Sequence, residues 1–302
     1  MKAALINDLS GLGRCSLVAD IAVLSAMGIT ACPMPTAVLS AQTAYPAFSR
    51  LDMAPELPAF IGKWKAVGAT FDGILTGYMT GEEQAVLVKE FVAGALAAAG
   101  GNTADCGTSG HQAEADALAS SRSGPFILVD PVMGDNGLAY SNFTDGLCRQ
   151  LKALSSMADI ITPNITELWL LTGGPLAQLS CPGADPDTGE IARRARQLLT
   201  GRCQTVAVTG IRGGSEIGSL IVTPQAAPRL FLAPRCPQSF SGTGDVFAAI
   251  VFGALLRRDA PDTAFDLAAR FISAAAMSAW KRGAGPNDGV DYEKELGRLR
   301  GA

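Results

Sequence analysis

Ser241-Gly242-Thr243-Gly244-Asp245-Val246-Phe247 leads into an apolar run that predicts a helix over residues 244–256. The two glycines let the backbone turn tightly and leave its N–H groups uncovered. A helix N-terminus carries partial positive charge, so this place suits a phosphate or a developing anion. Asp245, one residue past the cradle, can take a proton from a hydroxyl as it attacks phosphorus. The same residues also read as a plain glycine turn whose Asp complements the helix dipole. The surrounding chain has to separate the two.

Working outward, short apolar runs alternate with helical patterns. Strands are expected at 3–7, 71–76, 126–130, 159–162 and 205–209. An extended segment is expected at 29–40, broken by Pro33 and Pro35, and extended antiparallel pieces at 215–223 and 229–233. Helical periodicity covers 16–27, 56–67, 82–99, 144–157, 188–199, 244–256 and 263–281, with a short terminal helix at 292–300. This alternation predicts an α/β fold built of βαβ units around a mostly parallel sheet. Residues 101–124 are rich in Gly, Ser, Ala and Asp without apolar periodicity and read as a flexible loop insertion. No repeat or linker divides the chain, so one domain over 1–302 is expected.

Composition narrows the function classes. Of 302 residues, 48% are hydrophobic and 17% charged, with a formal net charge of −4. A large core is affordable, and there is no basic surplus for nucleic acid. No uncharged apolar run reaches ~18 residues, so no membrane span is expected. The opening MKAALINDLSG reads as a first strand, not a signal peptide. The seven cysteines are odd in number and none are paired as C-x-x-C, which points to reduced thiols in a cytoplasmic protein. His111 is the only histidine and lies in a polar, Gly-rich stretch as a surface residue. A Ser-His-Asp mechanism would have to depend on it.

Other strand ends carry polar residues. Asp130-Pro131-Val132-Met133-Gly134-Asp135 closes a core strand, where doubly wound sheets hold ligands, and two carboxylates there could position Mg2+ beside phosphates. Thr162-Pro163-Asn164-Ile165-Thr166-Glu167 starts a helix with a capping-box pattern, Asn164 with Glu167, and also places Glu167 near such a metal. Asn7-Asp8-Leu9-Ser10-Gly11, Pro35 to Thr43, and Gly77-Tyr78-Met79 each follow a predicted strand and could converge on a small polar substrate. Gly11-Leu12-Gly13 imitates a dinucleotide fingerprint, but Ser16 stands at the third glycine position and no acidic residue ends the next strand. The G-x-x-x-x-G-K-[ST] phosphate loop is absent.

In this order, PTAVLSAQT, LTGYMTG, VDPVMGDNG, ITPNITELWLLTG, VAVTG and SGTGD resemble the ribokinase superfamily, and within it the pyridoxal/pyridoxamine (vitamin B6) kinase family. The resemblance runs from about Leu5 to about Trp280. It implies a ribokinase-like three-layer sandwich, a central mostly parallel sheet flanked by helices, with a small lid. It implies ATP, Mg2+ and often a monovalent cation, with K+ as the candidate. It also implies a homodimer acting on a small-molecule B6 vitamer, with no nucleic acid and no membrane. Asp245 becomes the base, with Gly242, Thr243 and Gly244 as the anion hole. Asp130, Asp135, Thr162, Asn164, Thr209 and Thr223 fall on the ATP side, with Asp130 and Glu167 at the metal. Asp8, Ser10, Thr43 and Tyr78 fall on the substrate side, and 135–140 resembles a flap over the phosphates.

The implied reaction is ATP-dependent phosphorylation of the 5′-hydroxymethyl group of pyridoxal, pyridoxamine or pyridoxine. Two departures bear on it. Asp8 stands where many pyridoxal kinases have a serine facing the ring nitrogen, and the early D-x-S-G-x-x-G stretch resembles hydroxymethylpyrimidine kinases. The flap has no cysteine between Gly134 and Asn142. A hydroxymethylpyrimidine or sugar kinase of the same fold is therefore the near alternative, and a non-catalytic nucleotide-binding sensor the distant one.

Overall fold

The structure is a computed structural model that describes residues 1–100, 124–179 and 187–300. The predicted insertion lies outside the described residues apart from Gly124, and so does His111. In chain order the strands are β1 (Lys2–Ser10), β2 (Thr30–Leu39), β3 (Arg50–Asp52), β4 (Gly73–Thr76), β5 (Phe126–Val129), β6 (Gly134–Asp135), β7 (Leu138–Ala139), β8 (Ile160–Ile161), β9 (Thr205–Gly213), β10 (Glu216–Val222) and β11 (Arg229–Pro234). The helices are α1 (Ser16–Ala26), α2 (Leu57–Ala66), α3 (Glu82–Gly100), α4 (Asp145–Ser155), α5 (Ile165–Leu171), α6 (Thr188–Arg196), α7 (Thr243–Leu256) and α8 (Pro261–Lys281).

Nine strands form one sheet in the order β11-β10-β9-β8-β5-β4-β1-β2-β3. The run from β9 to β2 is parallel, with antiparallel strands added at both edges. Central strands show the period of two expected when both faces are covered. Ala3 and Leu5 of β1 and Phe126 and Leu128 of β5 point into one core, with α1, α7 and α8. Ala4, Ile6, Ile127 and Val129 point into the other, with α3, α4, α5 and α6. The result is helices on both faces of the sheet, the three-layer arrangement expected from the sequence.

The differences have local causes. Pro33 and Pro35 do not break β2, which runs unbroken beside β1 with Leu5 opposite Pro33 and Asn7 opposite Pro35. β3 pairs only with Ala37 to Leu39, so both prolines sit where the outer side of β2 has no ladder to lose. The terminal helix at 292–300 is two short 3-10 turns instead, Tyr292–Lys294 and Leu296–Leu299. Tyr292 and Leu299 are buried, and Arg282 and Lys294 both bond Asp291, which anchors each turn separately. Among the described residues no helix is long and apolar enough to cross a membrane.

Candidate active site

β1 pairs with β2 on one side and β4 on the other, so the strand order reverses there and a crevice opens at the C-terminal strand ends. The register of β1 against β2 shifts between Asn7 and Leu9, at Asp8. Asn7 is 3% exposed, and its side chain is fully engaged. Its Oδ1 accepts the backbone N–H groups of Tyr78 (2.8 Å) and Asp8 (3.0 Å). Its Nδ2 donates to Asp20 (3.1 Å) on α1 and to Asp245 (3.2 Å) at the start of α7. A Cβ on Gly77 would stand 2.5 Å from the Asn7 amide, so only glycine admits this side chain.

The loop before α7 is equally constrained. Gly242 caps the helix in the left-handed region, with φ of 80°. A Cβ there would lie 2.3 Å from the Arg14 carbonyl oxygen. Ser241 N–H is used by the Pro286 carbonyl (2.9 Å) and Asp245 N–H by its own carboxyl, while Thr243 and Gly244 open the first turn of the helix, where N–H groups lack intrahelical partners. Asp245 accepts a backbone hydrogen bond from Ser16 besides the one from Asn7. Burial outweighs those bonds, aided by the charge of Asp8, and raises the Asp245 carboxyl to about 6.

At the β1 end of the crevice, Asp8 is buried and accepts from Ser10 Oγ (2.7 Å) and from the Ser16 side chain. Burial lifts it above the ordinary carboxylate range despite those bonds. Tyr78 is half-buried. Burial raises its hydroxyl while Arg50 opposes the shift. Thr43 is exposed, on the turn after Gln42, so it stands at the rim and not the floor. That turn is held by Gln42 N–H to the Leu12 carbonyl (2.9 Å) and Tyr45 Oη to Asp288 (2.8 Å).

On the far side of α7, Asp130 ends β5 and accepts from Thr162 Oγ1 (2.9 Å). Its Oδ2 lies 4.0 Å from where a Cβ of Gly244 would stand, which brings it to the glycine loop. Asn164 and Glu167 form the predicted capping box of α5. Both Glu167 oxygens accept backbone N–H groups, from Met133 (3.1 Å) and Asn164 (2.8 Å), and Asn164 Nδ2 donates to the Gly134 carbonyl (2.8 Å). The β6–β7 hairpin is thus tied to the start of α5, and Gly137 N–H adds a bond to Thr166 (2.9 Å). Asp135 is an exposed residue of that hairpin, bonded to Asn136. Thr209 continues this edge, bridged to Asn164.

Thr223 does not join them. It follows β10, which runs opposite to β9 and pairs Ser219 with Thr209 but Val222 with Val206. Thr223 therefore lies about 13 Å down the sheet from Thr209, toward the N-terminal strand edge. The resemblance implied Thr223 on the ATP side, whereas the antiparallel course of β10 carries it toward the opposite end of the sheet from Thr209.

Burial raises Asp130 to about 7, with the charge of Asp245 adding and Thr162 opposing. Burial and the charge of Asp130 hold Glu167 well above the carboxylate range. Among the described residues no group of three metal-ligating side chains exists, so the protein alone does not make a metal cage. Clustered acids that push one another's protonation upward do suit a hard cation shared with phosphates, the usual manner of Mg2+. Asp130 would hold it, with Glu167 beside it, since each Glu167 oxygen keeps a lone pair beyond the backbone N–H it accepts.

Sequence reading passed over Asp20 and grouped Asn7 only with the strand-end residues facing a substrate. A signal was present. Asp20 interrupts the buried stripe of Leu17, Val23 and Leu24 on α1, where an unpaired carboxylate is costly.

A family model described as phosphomethylpyrimidine kinase matches residues 108–289. The chain belongs to the phosphomethylpyrimidine kinase family. A solved structure from Bacteroides thetaiotaomicron, described as a "putative phosphomethylpyrimidine kinase" and crystallised with pyridoxal, is 32% identical. It covers 99% of this chain and 95% of that one, with a TM-score of 0.83. Pyridoxal kinase PdxY of Rubrobacter xylanophilus is 32% identical over 164 residues, 52% of this chain and 53% of that protein. The match thus spans about half the length of that curated relative. The pyridoxal kinase structure from Lactobacillus plantarum, 24% identical, covers 99% of this chain and 96% of that one, with a TM-score of 0.82, and shows the shared fold. For this phosphomethylpyrimidine kinase family member the ribokinase-like fold and the kinship with pyridoxal kinases, both expected from the motifs, are borne out.

Proposed function

We propose that this family member transfers the γ-phosphoryl group of ATP to the 5′-hydroxymethyl group of a B6 vitamer: pyridoxal, pyridoxamine or pyridoxine. The observation that carries the reading is the half-buried Asp245 at the N-terminus of α7, between the Asp8 pocket and Asp130. The substrate oxygen forms a bond to phosphorus, the bond from that phosphorus to the ADP oxygen breaks, and the hydroxyl proton passes to Asp245. The N–H groups of the 242–244 loop and the dipole of α7 meet the charge on the transferring group. A Mg2+ ion beside Asp130 would supply further charge neutralisation. Asn164, Thr162 and Thr209 line the side from which the nucleotide would approach, with the 134–139 hairpin over it. K+ as a further cation, a homodimer, a cytoplasmic setting and one kinase domain through 1–302 belong to the same proposal.

A panel of pyridoxal, pyridoxamine, pyridoxine, hydroxymethylpyrimidine and simple sugars with ATP, read by mass of the phosphorylated product, tests the reading. Phosphate on a B6 vitamer supports it. Phosphate only on the pyrimidine moves the chain to the second reading, which the family description favours. ATP binding without any product leaves a sensor. Asp8 should govern the choice, because it is a buried acid where a ring nitrogen or amino group would face the protein. Asp8→Ser is expected to change the ratio of kcat/KM for pyridoxine over hydroxymethylpyrimidine by about 10-fold or more. An unchanged ratio removes Asp8 from recognition.

Asp245 must be ionised to act as a base. With its carboxyl raised to about 6, kcat/KM is expected to rise with pH through about 6 and level off above it. A profile measured from pH 5 to 8 that stays flat contradicts the assignment.

A further inference from the structure

We infer that Asn7 and Asp20 are positioning residues for Asp245: the Asp20 carboxyl oxygen fixes the Asn7 amide, and the amide fixes the base. The inference rests on the kinase reading above and adds the groups that aim its proton acceptor. An asparagine side chain has two amide hydrogens and one carbonyl oxygen with two lone pairs. All are used here, the oxygen by the N–H groups of Asp8 and Tyr78 and the hydrogens by Asp20 and Asp245. Turning the amide over would set its own N–H groups against the backbone N–H groups of Asp8 and Tyr78, so its orientation is forced. Glycine at 77 is what lets the amide in.

Asp20 is the far end of this bridge. It is 1% exposed, on a helix face otherwise made of Leu17, Ala19, Val23 and Leu24. A carboxyl there is tolerated only when hydrogen-bonded, and Asn7 supplies that bond. Asp20 is too buried to meet substrate, so its effect on the reaction passes through Asn7. Asn7 holds Oδ1 of Asp245, and with the backbone N–H groups of Ser16 and of Asp245 itself it sets the orientation of the base.

The test measures kcat and KM for the best alcohol of the panel in Asp20→Asn and Asp20→Ala, each alone and combined with Asp245→Asn. Asp20→Ala removes the acceptor and is expected to lower kcat about 10- to 100-fold with little change in KM, as a base held slightly off line would. Asp20→Asn keeps an acceptor toward Asn7 and is expected to recover most of that loss. Combined with Asp245→Asn, neither change should lower the residual rate further, because its target is gone. A merely structural Asp20 gives losses that add to those of Asp245→Asn, or lower thermal stability with kcat intact, and either result overturns the inference. So does an equal loss in both Asp20 variants. If Asp20→Ala does not fold, Asp20→Ser takes its place in the same cycle. An inactive wild-type chain sinks the kinase reading itself, whereas an active one with additive losses sinks only the bridge.

Discussion

Replacing Asp245 by asparagine is expected to lower kcat about 10²- to 10⁴-fold, with KM for ATP and for the alcohol nearly unchanged. The amide has almost the volume of the carboxyl and keeps an oxygen to accept the Asn7 hydrogen bond, so the thermal melt should move far less than the rate. What disappears is a proton acceptor. The loss corresponds to about 3–5 kcal/mol of transition-state stabilisation. It should fall on kcat because a base meets the hydroxyl most strongly as the proton leaves. The residual rate reports the glycine loop and alignment alone. Steady-state kinetics with a thermal melt as control decides the matter. A variant with near-native turnover would leave the crevice without its base.

Much of the site could be read before the fold was seen, because its groups sit in unbroken local motifs. The capping box of Asn164 and Glu167 is a pattern of four residues and needs no tertiary information. The glycine loop before α7 is just as local. Strand pairing is not. Residues 215–223 read as an antiparallel piece, but which end of the sheet Thr223 reaches depends on β9 being its partner, and the resemblance that put Thr223 on the ATP side does not carry that pairing. The Asn7–Asp20 bridge was missed for a related cause, since its partners come from β1, α1, β4 and α7, and Asn7 and Asp245 stand 238 positions apart. Polar networks across elements leave only a faint trace in sequence, here one acid in an apolar stripe.

The glycine loop supplies the second large effect. Gly242→Ala is expected to lower kcat about 10²- to 10³-fold and to destabilise the chain, whereas Gly244→Ala should leave the melt nearly unchanged and raise KM for ATP. The contrast follows from what each new methyl group meets. At Gly242 it lands 2.3 Å from the Arg14 carbonyl oxygen and 2.9 Å from Cys15 Cβ, in a backbone with φ of 80°. The left-handed conformation alone costs about 1–2 kcal/mol for an ordinary residue. Because the clash is with backbone, the loop itself has to shift, and its N–H donors shift with it. At Gly244 the nearest atom is Asp130 Oδ2 at 4.0 Å, so the methyl group fits the protein but stands where a phosphate would approach. If both variants lost stability equally and bound ATP equally, the loop would be a structural turn and its amides would have no part in holding the transferring phosphoryl group.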